Sequence, residues 1–431
     1  MATINCDADD TDPAPPCERE TMNPETNATL ITADRLWDGT GAATLLRPAL
    51  RLVGARIDAV EHSLLPPSTC GGQRVDFPGC TILPGLIDTH VHLVMSALDT
   101  NEAIIEQVLR ATDEQLLARA LANAQAALRT GITTLRDCGG KGNLVQQVRD
   151  RIRRREVAGP DVLSCGGPIT TARGHCWWLG LIADTHDEVR AAAERMLAQD
   201  ADFLKVMATG GNMTASSDPM KAQYDPEALK LIADIGRRAN KHSAAHVLSR
   251  AAMPGVVAAN YRTIEHCDWR VEEFRYQFDP ALARKIVDQN QYVGLTMSGL
   301  ARRKFLPQIR DLKIGPVQRL DQRFACERQM VDFGVRYTIH SDAGVRLCPI
   351  DRFDLGLQAA QVELKLTPSE VLRAVTATAA AAIGLPDRGV LTAGKRADLM
   401  VVEGDPLVDL ACMGKVKAVM KAGAWHVFTS R

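Results

Sequence analysis

From about residue 80 to about residue 385 the chain alternates two hydrophobic patterns. Short apolar or β-branched runs, the pattern of buried strands, are separated by longer stretches whose apolar residues recur at i, i+3 and i+4, the pattern of amphipathic helices. The strands so predicted are Thr81–Leu83 with Ile87–His90, Thr133–Asp137, Asp161–Cys165, Phe203–Ala208, Ser243–Val247, Thr263–His266, Tyr292–Met297 and Arg336–His340. The helices between them include Asp113–Arg129, Asp187–Gln199, Pro226–Ala239 and Pro368–Ile383. Eight β/α units over about 300 residues fit an α/β protein of the (β/α)8 TIM-barrel type. A doubly wound open sheet shares the local pattern, and the count of eight favours the barrel.

Both ends of the chain read as β. Ala28–Ile31, Ala49–Val53 and Arg56–Val60 are strand-like, with a tight turn at Gly54. Ala397–Val402, Val416–Met420 and Trp425–Val427 repeat the pattern, with a turn at Ala422-Gly423. Residues 1–28 are polar and rich in Asp, Glu, Pro and Asn, a composition expected to be disordered. They have neither the basic start nor the apolar centre of a secretory signal.

Composition narrows the function. The 431 residues are 46% hydrophobic and 24% charged with a formal net charge of −1, so neither nucleic acid nor an anionic membrane is the expected partner. No run of roughly 18 apolar residues is present to span a membrane. The 11 cysteines are scattered without a C-x-x-C pair, which argues against a disulfide framework or a cysteine zinc site and for a reducing cytoplasm. A cytoplasmic enzyme acting on a small molecule is the expectation.

The sharpest chemical signal is Pro84-Gly85-Leu86-Ile87-Asp88-Thr89-His90-Val91-His92. Residues two apart in a strand face the same side, so His90 and His92 converge as a metal-ligand pair at a strand end. Later predicted strands end on further candidates. Lys205 sits in the apolar run Phe203–Ala208, where a lysine must snorkel outward, pair with a carboxylate, or react with CO2 to give an anionic carbamate. His246 and His266 end two strands, and Asp342 closes the last, where a lone Asp is ordinarily a helix cap.

Taken together, His90-x-His92, Lys205, His246, His266 and Asp342 follow the first, fourth, fifth, sixth and eighth strands. That order resembles the amidohydrolase superfamily, in its binuclear branch with a carboxylated lysine. Leu204–Gly211, Gly131–Asp137, Ile264-Glu265-His266 and Gly394–Leu399 are similar to the branch of Xaa-Pro dipeptidases and imidazolonepropionase-related amide hydrolases. The resemblance covers about residues 29 to 428. It implies that residues 29–79 and 386–431 form a small β-sandwich beside a barrel of residues 80–385. It further implies two divalent ions, zinc foremost, bridged by a hydroxide. One ion would be held by His90, His92, Asp342 and a carbamate on Lys205, the other by that carbamate, His246 and His266. Asp342 would act as general base and acid, and the enzyme would be a homo-oligomer.

The predicted pocket loops are less specific. His175, in Gly174–Gly180, is placed to hydrogen-bond the substrate carbonyl, or else to pack its loop. Trp177 and Trp178, two of five tryptophans, suit an aromatic substrate group or the core. Tyr224 matches a tyrosine that in relatives points at the carbonyl. Arg302 and Arg303 could clamp a carboxylate. His340 reads as a second partner of the site or as facing the barrel interior, while His62, His186, His242 and His426 are left out of it. The leading reading is a metal-dependent hydrolase of an amide-type C–N bond, in a dipeptide or N-acyl amino acid or in an aryl urea, carbamate or amide. The alternatives are a mononuclear deaminase or chlorohydrolase, which needs no bridging lysine, and a non-catalytic scaffold.

Overall fold

A computed structural model describes residues 28–62, 72–272, 275–306 and 318–428. The expected tail, residues 1–28, lies outside them but for its last residue. The ends of the chain build one mixed sheet. Its order is Ala424–Phe428, Val416–Lys421, Leu399–Glu403, Gln73–Pro84, Ala28–Leu36, Pro48–Val53 and Arg56–His62, with Leu45–Leu46 paired to Ala28–Leu36. Ile57 and Met420, from strands far apart in that order, share one apolar cluster with Ile31, Leu50, Ile82 and Leu399. The sheet therefore curls over on itself. The Arg56↔Arg396 bridge and the Ala397 N–H donated to Ala55 O tie its two arms together.

Eight parallel strands make the barrel: β1 (Leu86–Val91), β2 (Ile132–Asp137), β3 (Asp161–Ser164), β4 (Phe203–Met207), β5 (His242–His246), β6 (Thr263–Glu265), β7 (Tyr292–Thr296) and β8 (Arg336–His340). Direct ladders run β1-β2-β3 and β4-β5-β6-β7-β8. The Asp202 N–H donated to Ser164 O (2.8 Å) joins β3 to β4. Asp342 N to His90 O (2.9 Å) and His92 N to Ala343 O (2.8 Å) close β8 onto β1. The strand ends and segments of both closing bonds carry the candidate ligands.

Two expectations are corrected. Thr81–Leu83 belongs to the curled sheet, where Thr81, Ile82 and Leu83 pair with Val402, Val401 and Met400. The chain passes from that sheet into β1 at Pro84-Gly85, and Gly85 allows the passage because a Cβ there would lie 2.3 Å from Thr133 Oγ1. The helix expected over Pro368–Ile383 is two helices, Pro368–Ala374 and Ala377–Ala382. Between them Val375 gives its carbonyl to Ile87 N of β1 (2.8 Å), and Thr376 leaves helical geometry at φ −133°, ψ −96°. The loop after β3 adds a short pair absent from the expectation, Ile169–Thr170 with Leu181–Ile182.

Candidate metal centre

His90 on β1 and His92, one residue past its end, are two apart, and both are buried. Asp342, just past β8, reaches them. Its Oδ1 lies 3.2 Å from His92 Nε2 and 3.6 Å from His90 Nε2. One ligand atom from each of these three residues falls within 4.8 Å of the others. His266, past β6, has its ring centroid 5.1 Å from that of His90 and 4.6 Å from that of His246 on β5. His266 and Asp342 both adopt left-handed backbone, φ +64° and +56°. Such strain is uncommon outside glycine and concentrates where a side chain must be aimed.

The far nitrogen of each imidazole is fixed by a partner. His90 Nδ1 donates to Glu265 Oε2 (3.1 Å) and His92 Nδ1 to Gly139 O (3.1 Å). Carboxylate and carbonyl oxygens only accept, so the neutral form of each ring keeps its lone pair on Nε2. His246 Nε2 lies 3.3 Å from Gly210 O, which leaves its lone pair on Nδ1. His266 Nδ1 meets Thr296 Oγ1 at 2.7 Å, and that hydroxyl also meets His340 Nε2 at 3.2 Å. Glu265 is held in turn by Arg136 Nη2 (2.5 Å).

Electrostatics keeps most of these rings neutral. Burial pushes His90, His246 and His266 well below the usual imidazole range, His175 down to about 3 and His340 down to about 4. Burial is the largest influence on His92 and lowers it, but the hydrogen bond and charge of Asp342, with Asp137 and the Gly139 carbonyl, together outweigh it and the net shift is upward, toward an imidazolium that donates from Nε2 to Asp342. Burial works to raise the Asp342 carboxyl, and the neighbouring His90 and His92 override it, so it stays well below the usual carboxylate range. Neutral imidazoles and an ionised carboxylate are the donor forms a divalent cation takes.

Lys205 on β4 is fully buried and lines the same cavity. Its ammonium neither snorkels out nor meets a carboxylate among the described residues. The hydrogen bond it makes is a 3.7 Å contact to Met207 Sδ. A buried ammonium so poorly partnered is costly. The donor set of imidazoles and one carboxylate fits a divalent cation.

These residues floor a cavity of about 300 Å³. His175 lines it as well, 4.4 Å ring to ring from His246, with its Nδ1 buried and without a partner among the described residues. The other pocket residues expected from sequence are placed elsewhere. The Tyr224 hydroxyl donates to Ala183 O at 2.8 Å, behind the cavity wall. Trp178 packs in the core, while Trp177 is 41% exposed away from the lining. Arg302 is fully buried with Nε donating to Met297 O (2.8 Å), and Arg303 pairs with Asp321 and Glu363. Their neighbourhood in sequence put them in the right loops but did not aim them inward.

Sequence reasoning missed the supports Glu265, Arg136 and Thr296 and the wall residues Asp268, Arg270, Arg323 and Arg346. A charged residue in mid-strand was the available signal for Arg136 and Glu265. Arg323 gave none, since its spacing from Glu327 reads as an ordinary surface pair.

Residues 81–425 match the Amidohydrolase family. The chain belongs to that family and is a hydrolase acting on amide-type carbon–nitrogen bonds. It is 26% identical over 434 aligned positions to ochratoxinase of Aspergillus niger, covering 92% of this chain and 85% of that one. The solved ochratoxinase structure superposes with a TM-score of 0.79 at 25% identity, over 94% and 96% of the two chains. Imidazolonepropionase of Idiomarina loihiensis is 24% identical over 86% of this chain and 88% of its own. The fold is also similar to that of a Xaa-Pro dipeptidase solved with methionine in its active site, with a TM-score of 0.81 at 21% identity over 93% and 100%. No helix among the described residues is long and apolar enough to cross a membrane.

Proposed function

We propose that this chain hydrolyses an amide-type bond in a small molecule at a two-metal centre. His90, His92, Asp342 and Lys205 would hold one ion, and Lys205, His246 and His266 the other, with Lys205 carboxylated by CO2. Divalent cations bound there, zinc foremost, supply charge that acidifies water and polarises a carbonyl. Asp342, held ionised between His90 and His92, takes the proton of the attacking water and returns it to the leaving nitrogen. His175 supports the developing oxyanion through its otherwise unpartnered ring nitrogen. Water is consumed, the C–N bond breaks, and an acid and an amine leave. The substrate classes in view are an N-acyl amino acid or dipeptide and an aryl urea, carbamate or amide.

The observation that carries this reading is Lys205, buried beside the imidazoles without a carboxylate partner among the described residues. Metal content per chain, measured on protein purified without chelator, tests it together with Lys205→Ala. The expected result is about two metals in the unaltered protein and loss of one or both in the variant. One metal, indifferent to the substitution, would replace this reading with a mononuclear deaminase or chlorohydrolase.

A further inference from the structure

Among the described residues, the charged side chains lining the cavity, apart from Lys205, Asp342 and the imidazoles, are three arginines and one aspartate: Arg270, Arg323, Arg346 and Asp268. Asp268 is buried between two of the arginines, 2.9 Å from Arg270 Nη2 and 3.4 Å from Arg323 Nε. Arg270 is further engaged by Tyr276 (Nε to Oη, 3.0 Å) and Asn212 (Nη1 to Oδ1, 3.3 Å). Arg323 donates through Nε to Glu327 (2.7 Å) and through Nη2 to Thr296 O (2.8 Å). These bonds fix its guanidinium at the end of β7 and leave Nη1 without a hydrogen bond to any described residue. Arg346, half-buried and four positions beyond Asp342, donates through Nε to Asp99 O (2.7 Å). Its two terminal nitrogens are likewise unengaged among the described residues.

We propose that Arg323 and Arg346 form a carboxylate subsite in the cavity wall, with Asp268, Arg270 and Glu327 holding Arg323 in place. The substrate is then an amide that carries a free carboxylate. The proposal rests on the hydrolytic reading above and narrows it. An ion-pair network serving only the fold would match its charges one to one. Here Arg270 and Arg323 take up Asp268 and Glu327, while Arg346 has no carboxylate partner among the described residues, and the surplus donors belong to cavity-lining residues. A neutral aryl urea would leave those donors to water, whereas a carboxylate matches their planar fork. The carboxylate can sit on the amine half or on the acyl half of the substrate, and the test separates the two.

Metal-loaded enzyme is assayed with three amides: N-benzoyl-L-phenylalanine, with the carboxylate on the amine side; N-benzoylphenethylamine, with none; and succinanilic acid, with the carboxylate on the acyl side. One carboxylated amide is expected to exceed the neutral one in kcat/KM by about tenfold or more, the worth of a charge-assisted hydrogen bond. Arg346→Gln is expected to lower that ratio by a similar factor, mainly through KM, and Arg346→Lys to restore part of it. A neutral amide cleaved as well as both acids, or a variant that lowers all three alike, overturns the subsite. If no amide is cleaved, the hydrolytic reading fails separately, and calorimetric binding of N-benzoyl-L-phenylalanine decides the subsite. Binding that needs the carboxylate and is lost in Arg346→Gln supports it. Binding equal to that of N-benzoylphenethylamine, or none, overturns it.

Discussion

Replacing Glu265 by glutamine tests whether the proposed metal centre depends on a buried charge behind it. Glu265 is fully buried, with Oε1 on Arg136 Nη2 at 2.5 Å and Oε2 on His90 Nδ1 at 3.1 Å. Burial works to raise its carboxyl, but Arg136, with His340 and Lys205, prevails and the net shift is downward. Both oxygens accept, and both partners donate. Glutamine offers one oxygen and one NH2, so one partner must face a donor. Whichever partner that is, the Arg136 guanidinium, itself 4% exposed, loses its buried counter-charge, at about 3–5 kcal/mol. If the partner is His90, the ring must move its proton to Nε2 and can no longer offer that nitrogen to a cation. Loss of such an outer partner weakens metal binding by about 10- to 100-fold. Thermal denaturation of the apoprotein and zinc titration against a competing chelator read the two effects separately. A variant with unaltered melting temperature and unaltered zinc affinity would refute the reasoning.

Two further substitutions probe the surroundings. Burial pushes the Glu327 carboxyl up to about 7 from 4.5, with Arg323 opposing and Asp268 adding to the rise. Its stabilising contribution is therefore fully present below about pH 4.5 and lost as pH rises through about 7. Glu327→Gln keeps an acceptor for Arg323 and is expected to gain on the unaltered protein across that window by up to about 3 kcal/mol, read by denaturation at pH 5 and pH 8; a pH-independent difference would count against it. Tyr224→Phe removes a buried hydrogen bond to Ala183 O and is expected to cost about 1–2 kcal/mol of stability while kcat/KM stays within about threefold. A loss of about 100-fold or more at intact stability would put the hydroxyl back at the reaction.

The strand ends were legible because their chemistry is local. Apolar runs ending in His90-x-His92, His246 and His266 locate the C-terminal rim of a barrel, and Arg336–His340 is the strand the sequence predicts. What a side chain does beyond the rim depends on loop backbone that periodicity does not encode. Trp177 and Trp178 are neighbours, yet one is 41% exposed and the other 5%. Arg302 is fully buried on a carbonyl while Arg303 reaches an exposed carboxylate, Asp321, and a buried one, Glu363. Thr81–Leu83 misled for a different reason. From the sequence Pro84-Gly85 lies within one strand unit, whereas it is the point where the chain leaves one sheet for another.

The farthest thing from the sequence pattern is how the histidine floor and the arginine wall are joined. Thr296 joins them with two groups of one residue. Its hydroxyl lies between His266 Nδ1 and His340 Nε2, at 2.7 and 3.2 Å, and its carbonyl accepts from Arg323 Nη2 at 2.8 Å. When His266 donates to the hydroxyl and the hydroxyl donates to His340, the lone pair of His266 is left on Nε2. The same residue's backbone fixes where Arg323 sits, and its own position is set by β7 pairing with β8, Thr296 opposite His340. A shift of β7 along its neighbour would therefore move the His266 tautomer partner and the Arg323 anchor together. In the proposed reading, the distance between the scissile bond and the substrate's carboxylate is set by a strand register, not by loop flexibility. That is why selectivity by carboxylate position, amine side against acyl side, is expected to be sharp.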